Sequence, residues 1–157
     1  MPPRLVPMTE EQTAAFISAE IETYVGELVT SGDSLEEART AVGKQVAVLF
    51  SDGSPAAGQL FYQVTDDEDA VLGFLWIGPS AGEGAGTAKY WVWKVEIAEP
   101  HRGQGLGRAT MLLAEDAARA HGATELSLSV FGHNPVARHL YESMGYITKS
   151  MQMRKAL

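Results

Sequence analysis

Between His101 and Arg108 the chain reads His-Arg-Gly-Gln-Gly-Leu-Gly-Arg, with a β-rich run before it and a helix-forming run after it. Glycines let backbone amides approach a ligand closely, and the first turn of a helix offers N–H groups that have no partner inside the helix. A strand-to-helix turn of this composition is a seat for a phosphate; a tight turn that needs left-handed residues is the alternative use of the same glycines. Two common nucleotide patterns are not met. A P-loop requires Gly-Lys followed by Ser or Thr, whereas Gly107 is followed by Arg108 and Ala109. The dinucleotide pattern G-x-G-x-x-G also fails: counted from Gly103 it ends on Arg108, and counted from Gly105 it ends on Thr110.

The run Arg102-Gly-Gln-Gly-Leu-Gly107 resembles, in full, the R/Q-x-x-G-x-G/A motif with which the GNAT superfamily of N-acetyltransferases grips the pyrophosphate of acetyl-CoA. The resemblance continues through Val92 to Ala98 before the motif and through Phe131-Gly-His-Asn134, Tyr141 and Gly145-Tyr146 after it, covering about Trp91 to Arg154. It implies that acetyl-CoA is the cosubstrate, and that the backbone of Val95 and Ile97 pairs with the pantetheine arm like an added strand. Arg102, Gly103, Gln104, Gly105, Leu106, Gly107 and Arg108 would form the pyrophosphate loop, chiefly through the amides of Gly103 to Arg108. A bulge in the strand before the motif would leave an amide near Ile97 free to stabilise an oxyanion. Asn134 matches a residue that reaches the pantetheine, and it also suits a plain helix cap. Tyr141 matches the general acid that protonates the departing thiolate; a packed aromatic on the Ala137, Leu140, Tyr141, Met144 face is the alternative.

The acceptor amine must lose a proton, and Glu96, on the strand beside the thioester, is the first candidate base; Glu99 or a relayed water would serve the same purpose. His101, His121, His133 and His139 lack metal-ligand spacing, so no metal is expected. Trp76, Trp91, Trp93, Tyr62 and Tyr24 are candidates for an acceptor pocket, with core packing as the competing use of each. The function expected is N-acetyl transfer to a primary amine by direct attack in a ternary complex. The alternative is an acyl-CoA-binding sensor that has lost transfer.

Several elements must position these groups. Arg4 to Met8 reads as a first strand. Thr9-Glu-Glu-Gln12 and Ser34-Leu-Glu-Glu37 are capping-box patterns that start two helices, the first with a stripe of Phe16, Ile17, Ile21, Tyr24, Val25 and Leu28. The second runs towards Phe50, although Val46 to Phe50 is equally compatible with extended chain. Gln59 to Thr65 and Ala70 to Ile77 flank the turn Asp66–Asp69 as a hairpin, Pro79 to Thr87 is a loop, and Lys89 to Ala98 is the strongest strand signal. A helix from Leu106 to His121, with Leu106, Ala109, Leu113, Ala117 and Ala120 on one face, ends at Gly122. Leu126 to Phe131 is the next strand, Asn134-Pro135 opens a short helix ending near Met144, and Tyr146 to Arg154 is expected to form one or two last strands. The resemblance implies a single α/β domain over residues 1–157, with a mixed, mostly antiparallel sheet flanked by helices.

Composition sets the outer bounds. The 157 residues are 45% apolar and 20% charged, values ordinary for a globular chain. No cysteine is present, which removes disulfides, thiolate ligands and a cysteine acyl-enzyme. The formal net charge of −8 opposes a nucleic-acid partner; it mildly favours a cationic acceptor, with a charge that serves only to keep the protein in solution as the alternative. No run is apolar enough for a leader or a membrane span, so cytoplasmic residence is the expectation. The partner expected is a small-molecule or peptide amine, and the resemblance allows a homodimer.

Overall fold

The computed structural model describes residues 2–157; Met1, part of the leader reading, lies outside them. The elements are β1 (Arg4–Pro7), α1 (Glu10–Thr30), α2 (Leu35–Leu49), β2 (Leu60–Thr65), β3 (Val71–Pro79), β4 (Lys89–Ile97), α3 (Leu106–Ala120), β5 (Glu125–Leu128) and α4 (Pro135–Ser143), with one turn of 3-10 helix at Glu99–His101. The five strands lie in chain order, antiparallel except for the parallel pair β4–β5. This is a mostly antiparallel α/β domain, as the sequence predicts.

Both capping boxes form. Thr9 and Ser34 accept from the amides of Gln12 and Glu37, whose side chains return to the cap amides. The Val46 to Phe50 ambiguity is settled as helix through Leu49, because Leu49 is needed on the buried face beneath Phe61 and Trp76. In the hairpin turn, the Asp66 carboxylate accepts from the amides of Glu68 and Ala70, and Asp69 takes a positive φ of 64°.

Strand alternation divides the core in two. Leu75, Ile77, Tyr90 and Val92 face α3 and pack on Met111, Ala114 and Ala118, while Trp76, Phe74 and Phe61 face α1 and pack on Phe16. The buried stripe of α3 is Thr110, Met111, Ala114 and Ala118, rotated from the predicted one; Ala120 is exposed. An alanine-rich helix offers several apolar faces, and the sheet selects the one that carries Met111.

Two further expectations are corrected. β5 stops at Leu128 instead of Phe131, and Tyr146 to Arg154 form no strand. Ile147, Met151 and Met153 alternate with polar residues except where Lys149 interrupts them, but both ends of the segment are tied elsewhere. Tyr146 Oη donates to Glu115 Oε1 of α3 at 3.1 Å, and Arg154 pairs with Asp33 in the α1–α2 turn.

Candidate active site

β4 carries the geometry from which the site is built. Its register with β3 shifts between Trp76 and Ile77: Ile77 pairs with Val92 but Trp76 pairs with Lys94, so Trp93 is an extra residue. Without this bulge Lys94 would point into the apolar layer under α3; with it, Lys94 and Glu96 project towards α1 and Val95 and Ile97 pack on the α3 side. Gly73, opposite Ile97, lets the strands close here, since a Cβ on it would stand 2.0 Å from the Glu96 carbonyl oxygen.

The parallel ladder between β4 and β5 covers only Lys89–Val92 against Glu125–Leu128. From Trp93 to Ile97, β4 has no strand on that side among the described residues. Ala98 N–H donates to Leu72 C=O, so alternation turns the backbone groups of Val95 and Ile97 away from β3, towards the opening. The Ile97 carbonyl is already used, accepting from Arg102 Nε at 2.8 Å. The Ile97 amide faces the gap.

That Arg102 contact folds the glycine loop back onto the end of β4. Gly103 and Gly105 take φ of 75° and 78°, a region other residues enter only with strain, and a Cβ on either would meet nothing within 4 Å. Gly105 is the cap of α3 and supplies no side-chain acceptor, unlike the caps of α1, α2 and α4. The first turn of α3 has no acidic side chain either, so its amides are an electropositive seat on the open side of the loop. Gln104 Nε2 lies 3.5 Å from the Pro100 carbonyl, and Leu106 is half-buried against the α3-side core.

The start of α3 also places α4. A Cβ on Gly107 would lie 3.3 Å from Leu140 Cδ2, and Arg108 donates to Ser143 Oγ at 2.7 Å, so the two helices meet at the motif. Tyr141, beside Leu140, packs on the α3-side core and stands edge-on to Tyr146 at 5.9 Å. Burial pushes its phenol above the ordinary range, which keeps it protonated. Asn134 Oδ1 accepts from Ala137 N at 3.1 Å, so the cap suggested by the sequence is formed.

Glu96 lies on the other face of the gap, in a group the sequence reading missed. Lys94 Nζ stands 3.2 Å from Glu20 of α1 and 3.4 Å from Glu96, with side-chain exposures of 15% for Lys94, 16% for Glu20 and 40% for Glu96. Burial raises the Glu20 carboxyl above its usual value, against the lowering pull of Lys94. For Lys94 burial is the largest single effect and acts downwards, but Glu20, Glu27 and Glu96 together outweigh it and hold the ammonium above its usual range. A lysine inside the strongest strand, two residues from a glutamate, was the available signal; no spacing links Glu20 to either.

The aromatic candidates divide. Trp76 is buried in the α1-side core with Phe61, and Tyr62 packs on the α3-side core. Trp93 bridges Trp76 and Trp91 at 5.7 and 6.0 Å, and its buried indole N–H has no partner among the described residues. Tyr24 of α1 meets Phe131, just past β5, at 6.1 Å, and Phe131 stacks on His133. Among the described residues no group of three or more His, Asp or Glu is placed to hold a metal.

Known proteins resemble this chain over most of its length. A profile described as "Acetyltransferase (GNAT) family" matches residues 16–146. The uncharacterized N-acetyltransferases YdgE and YycN of Bacillus subtilis are 29% and 30% identical to it, over 96% and 98% of this chain and 95% and 97% of their own lengths. The crystal structure of YycN superposes with a TM-score of 0.85 at 28% identity, covering 99% of this chain and 98% of that one. A structure from Pyrococcus furiosus shares the fold at a TM-score of 0.62. The chain therefore belongs to the GNAT acetyltransferase family.

Proposed function

We propose that this protein transfers an acetyl group from acetyl-CoA to a primary amine held on the α1 side of the sheet. The observation that carries the reading is the gap beside Trp93–Ile97, which opens next to the uncapped N-terminus of α3. Acetyl-CoA supplies an activated acyl carbon and a thiolate leaving group. The amides of Gly103 to Arg108 hold its pyrophosphate, with Arg102 bracing the loop against Ile97. Val95 and Ile97 bond the pantetheine arm through backbone groups that face the gap, and Asn134 touches it from the start of α4. The Ile97 amide is the donor for charge developing on the acyl oxygen.

Acid and base then approach from opposite faces. The amine nitrogen bonds to the acyl carbon, the carbon–sulfur bond breaks, and one proton leaves the nitrogen as another reaches the sulfur. Glu96 takes the first, on the α1 face, while Tyr141 gives the second from the α3 face. No covalent acyl-enzyme is needed. Carboxylates Glu20 and Glu96 beside the acceptor side favour a cationic amine, in line with the net charge of −8.

The test is release of CoA thiol from acetyl-CoA on addition of a panel of small amines, amino acids and peptides. Amine-dependent release is expected, and Gly105→Glu, which sets a carboxylate and a strained φ in the loop, should abolish it while the far-ultraviolet circular dichroism is unchanged. Release that survives Gly105→Glu would remove the proposed phosphate seat.

A further inference from the structure

The stripe of α1 that looks down on the sheet changes character along its length. Phe16 meets Phe61 of β2 and Phe74 of β3, at 6.1 and 5.5 Å between ring centres, and closes an apolar layer. Four residues on, and so on the same face of the helix, Glu20 stands over Lys94 of β4. Four further, Tyr24 meets Phe131, three residues past the end of β5. The helix therefore crosses the sheet strand by strand, and its covering turns from apolar to charged to aromatic.

β4 answers in kind. Tyr90 and Val92 are buried in the layer under α3, which leaves Trp91 on the α1 face with Trp93, Lys94 and Glu96. Trp91 and Phe131 are half-buried, yet neither packs against a buried apolar cluster of the described residues. Their neighbours are other rings: Trp93 at 6.0 Å from Trp91, and Tyr24 at 6.1 Å from Phe131. Both pairs lie beside the point, at Val92 and Leu128, where β4 and β5 part. Half-covered rings next to a reaction gap offer offset or edge-on seats to another ring.

Charge sets what else the acceptor can carry. Lys94, the ammonium that β4 puts on this face, is already engaged by Glu20 and Glu96, and Glu27 adds to the field it feels. An acceptor carboxylate would find that cation taken and would meet three carboxylates, whereas an ammonium is drawn in. The span sets the linker. Trp91 and Glu96 lie opposite Gly78 and Phe74 of β3, so about 13 Å of strand separates them, and side chains from both ends shorten what a ligand must bridge.

Resting on the reading of this chain as an amine acetyltransferase, we propose that its acceptor is an arylalkylamine without a carboxylate, whose ring lies among Trp91, Tyr24 and Phe131 while its amine is drawn to Glu96. Two matched pairs of amines test this by CoA release. 4-Phenylbutylamine and butylamine differ only in the ring, and kcat/KM should favour the first by about tenfold or more. 2-Phenylethylamine and phenylalanine differ only in the carboxylate, and the first should again be favoured by about tenfold or more. Trp91→Val and Phe131→Ala alter rings outside the buried clusters, so circular dichroism should be unchanged and acetyl-CoA should still bind. Each should cut the preference for 4-phenylbutylamine over butylamine to about threefold or less.

Calorimetric titration of 4-phenylbutylamine into the protein saturated with CoA separates this proposal from the reaction on which it rests. Equal use of both amines in the first pair, or a preference that survives in both variants, overturns the aromatic site and leaves amine acetylation standing. Equal or better use of phenylalanine overturns the exclusion of carboxylates. Binding of 4-phenylbutylamine that both variants weaken, with no release of CoA from acetyl-CoA, supports the aromatic site and overturns acetyl transfer; neither binding nor release overturns both.

Discussion

A phenol donates a proton only while it keeps one, and the environment of Tyr141 secures this: burial against the α3-side core raises its pKa above the ordinary value of 10.0. A loss of activity at alkaline pH that arises from Tyr141 should therefore have its midpoint above pH 10.0. Tyr141→Phe removes the proton and leaves the packing, so kcat should fall about 100-fold with the KM for acetyl-CoA within about twofold. Steady-state kinetics checks both; an unchanged kcat would show that Tyr141 is a packing residue. At this scale the motif singled out the glycines and the wider resemblance singled out Tyr141. Glu20 was not legible, because it reaches Lys94 only through the fold and sits on a helix whose sequence reports an amphipathic stripe and nothing more.

Between elements, the Lys94–Glu20 pair ties α1 to the bulged end of β4. Lys94→Met would leave Glu20 largely out of water with no cation. The expected loss is on the order of 2 kcal/mol, less than for a fully enclosed pair because both side chains still meet some solvent. The folded pKa of Lys94 is raised above 10.5, so its contribution is complete below pH 10.5 and fades as the pH rises through the folded value. Denaturant titrations of wild type and Lys94→Met should accordingly differ by a constant amount at neutral pH and converge above pH 10.5; a gap that widens there would contradict the assignment. The helices with capping boxes were readable to within a residue of their starts, because a cap is a local hydrogen-bonding pattern. A bulge in β4 was implied by the resemblance, but its place at Trp93 and the strand that did not form were not readable. Register depends on partners distant in sequence, and the composition of Tyr146 to Arg154 does not encode the lack of a partner within one chain.

At the scale of the whole molecule, an apolar layer packs on each face of the sheet. Leu75, fully buried at the centre of the sheet, packs in the same apolar layer as Met111 of α3. Leu75→Ala should cost about 3 kcal/mol and lower Tm by roughly 10 °C, seen by calorimetric melting, because the layer between sheet and helix cannot collapse around the void. A loss under about 1 kcal/mol would mean that this layer is not tightly packed. Turnover at low temperature should change little, since Leu75 lies in β3 and not along the gap.

The central claim is that the loop and the gap together receive acetyl-CoA, and direct titration by isothermal calorimetry, with ATP and NAD as controls, tests it most simply. Binding in the micromolar range by acetyl-CoA and CoA, and not by the controls, is the result expected; heat from ATP or NAD of equal affinity, or no binding of acetyl-CoA at all, would contradict it.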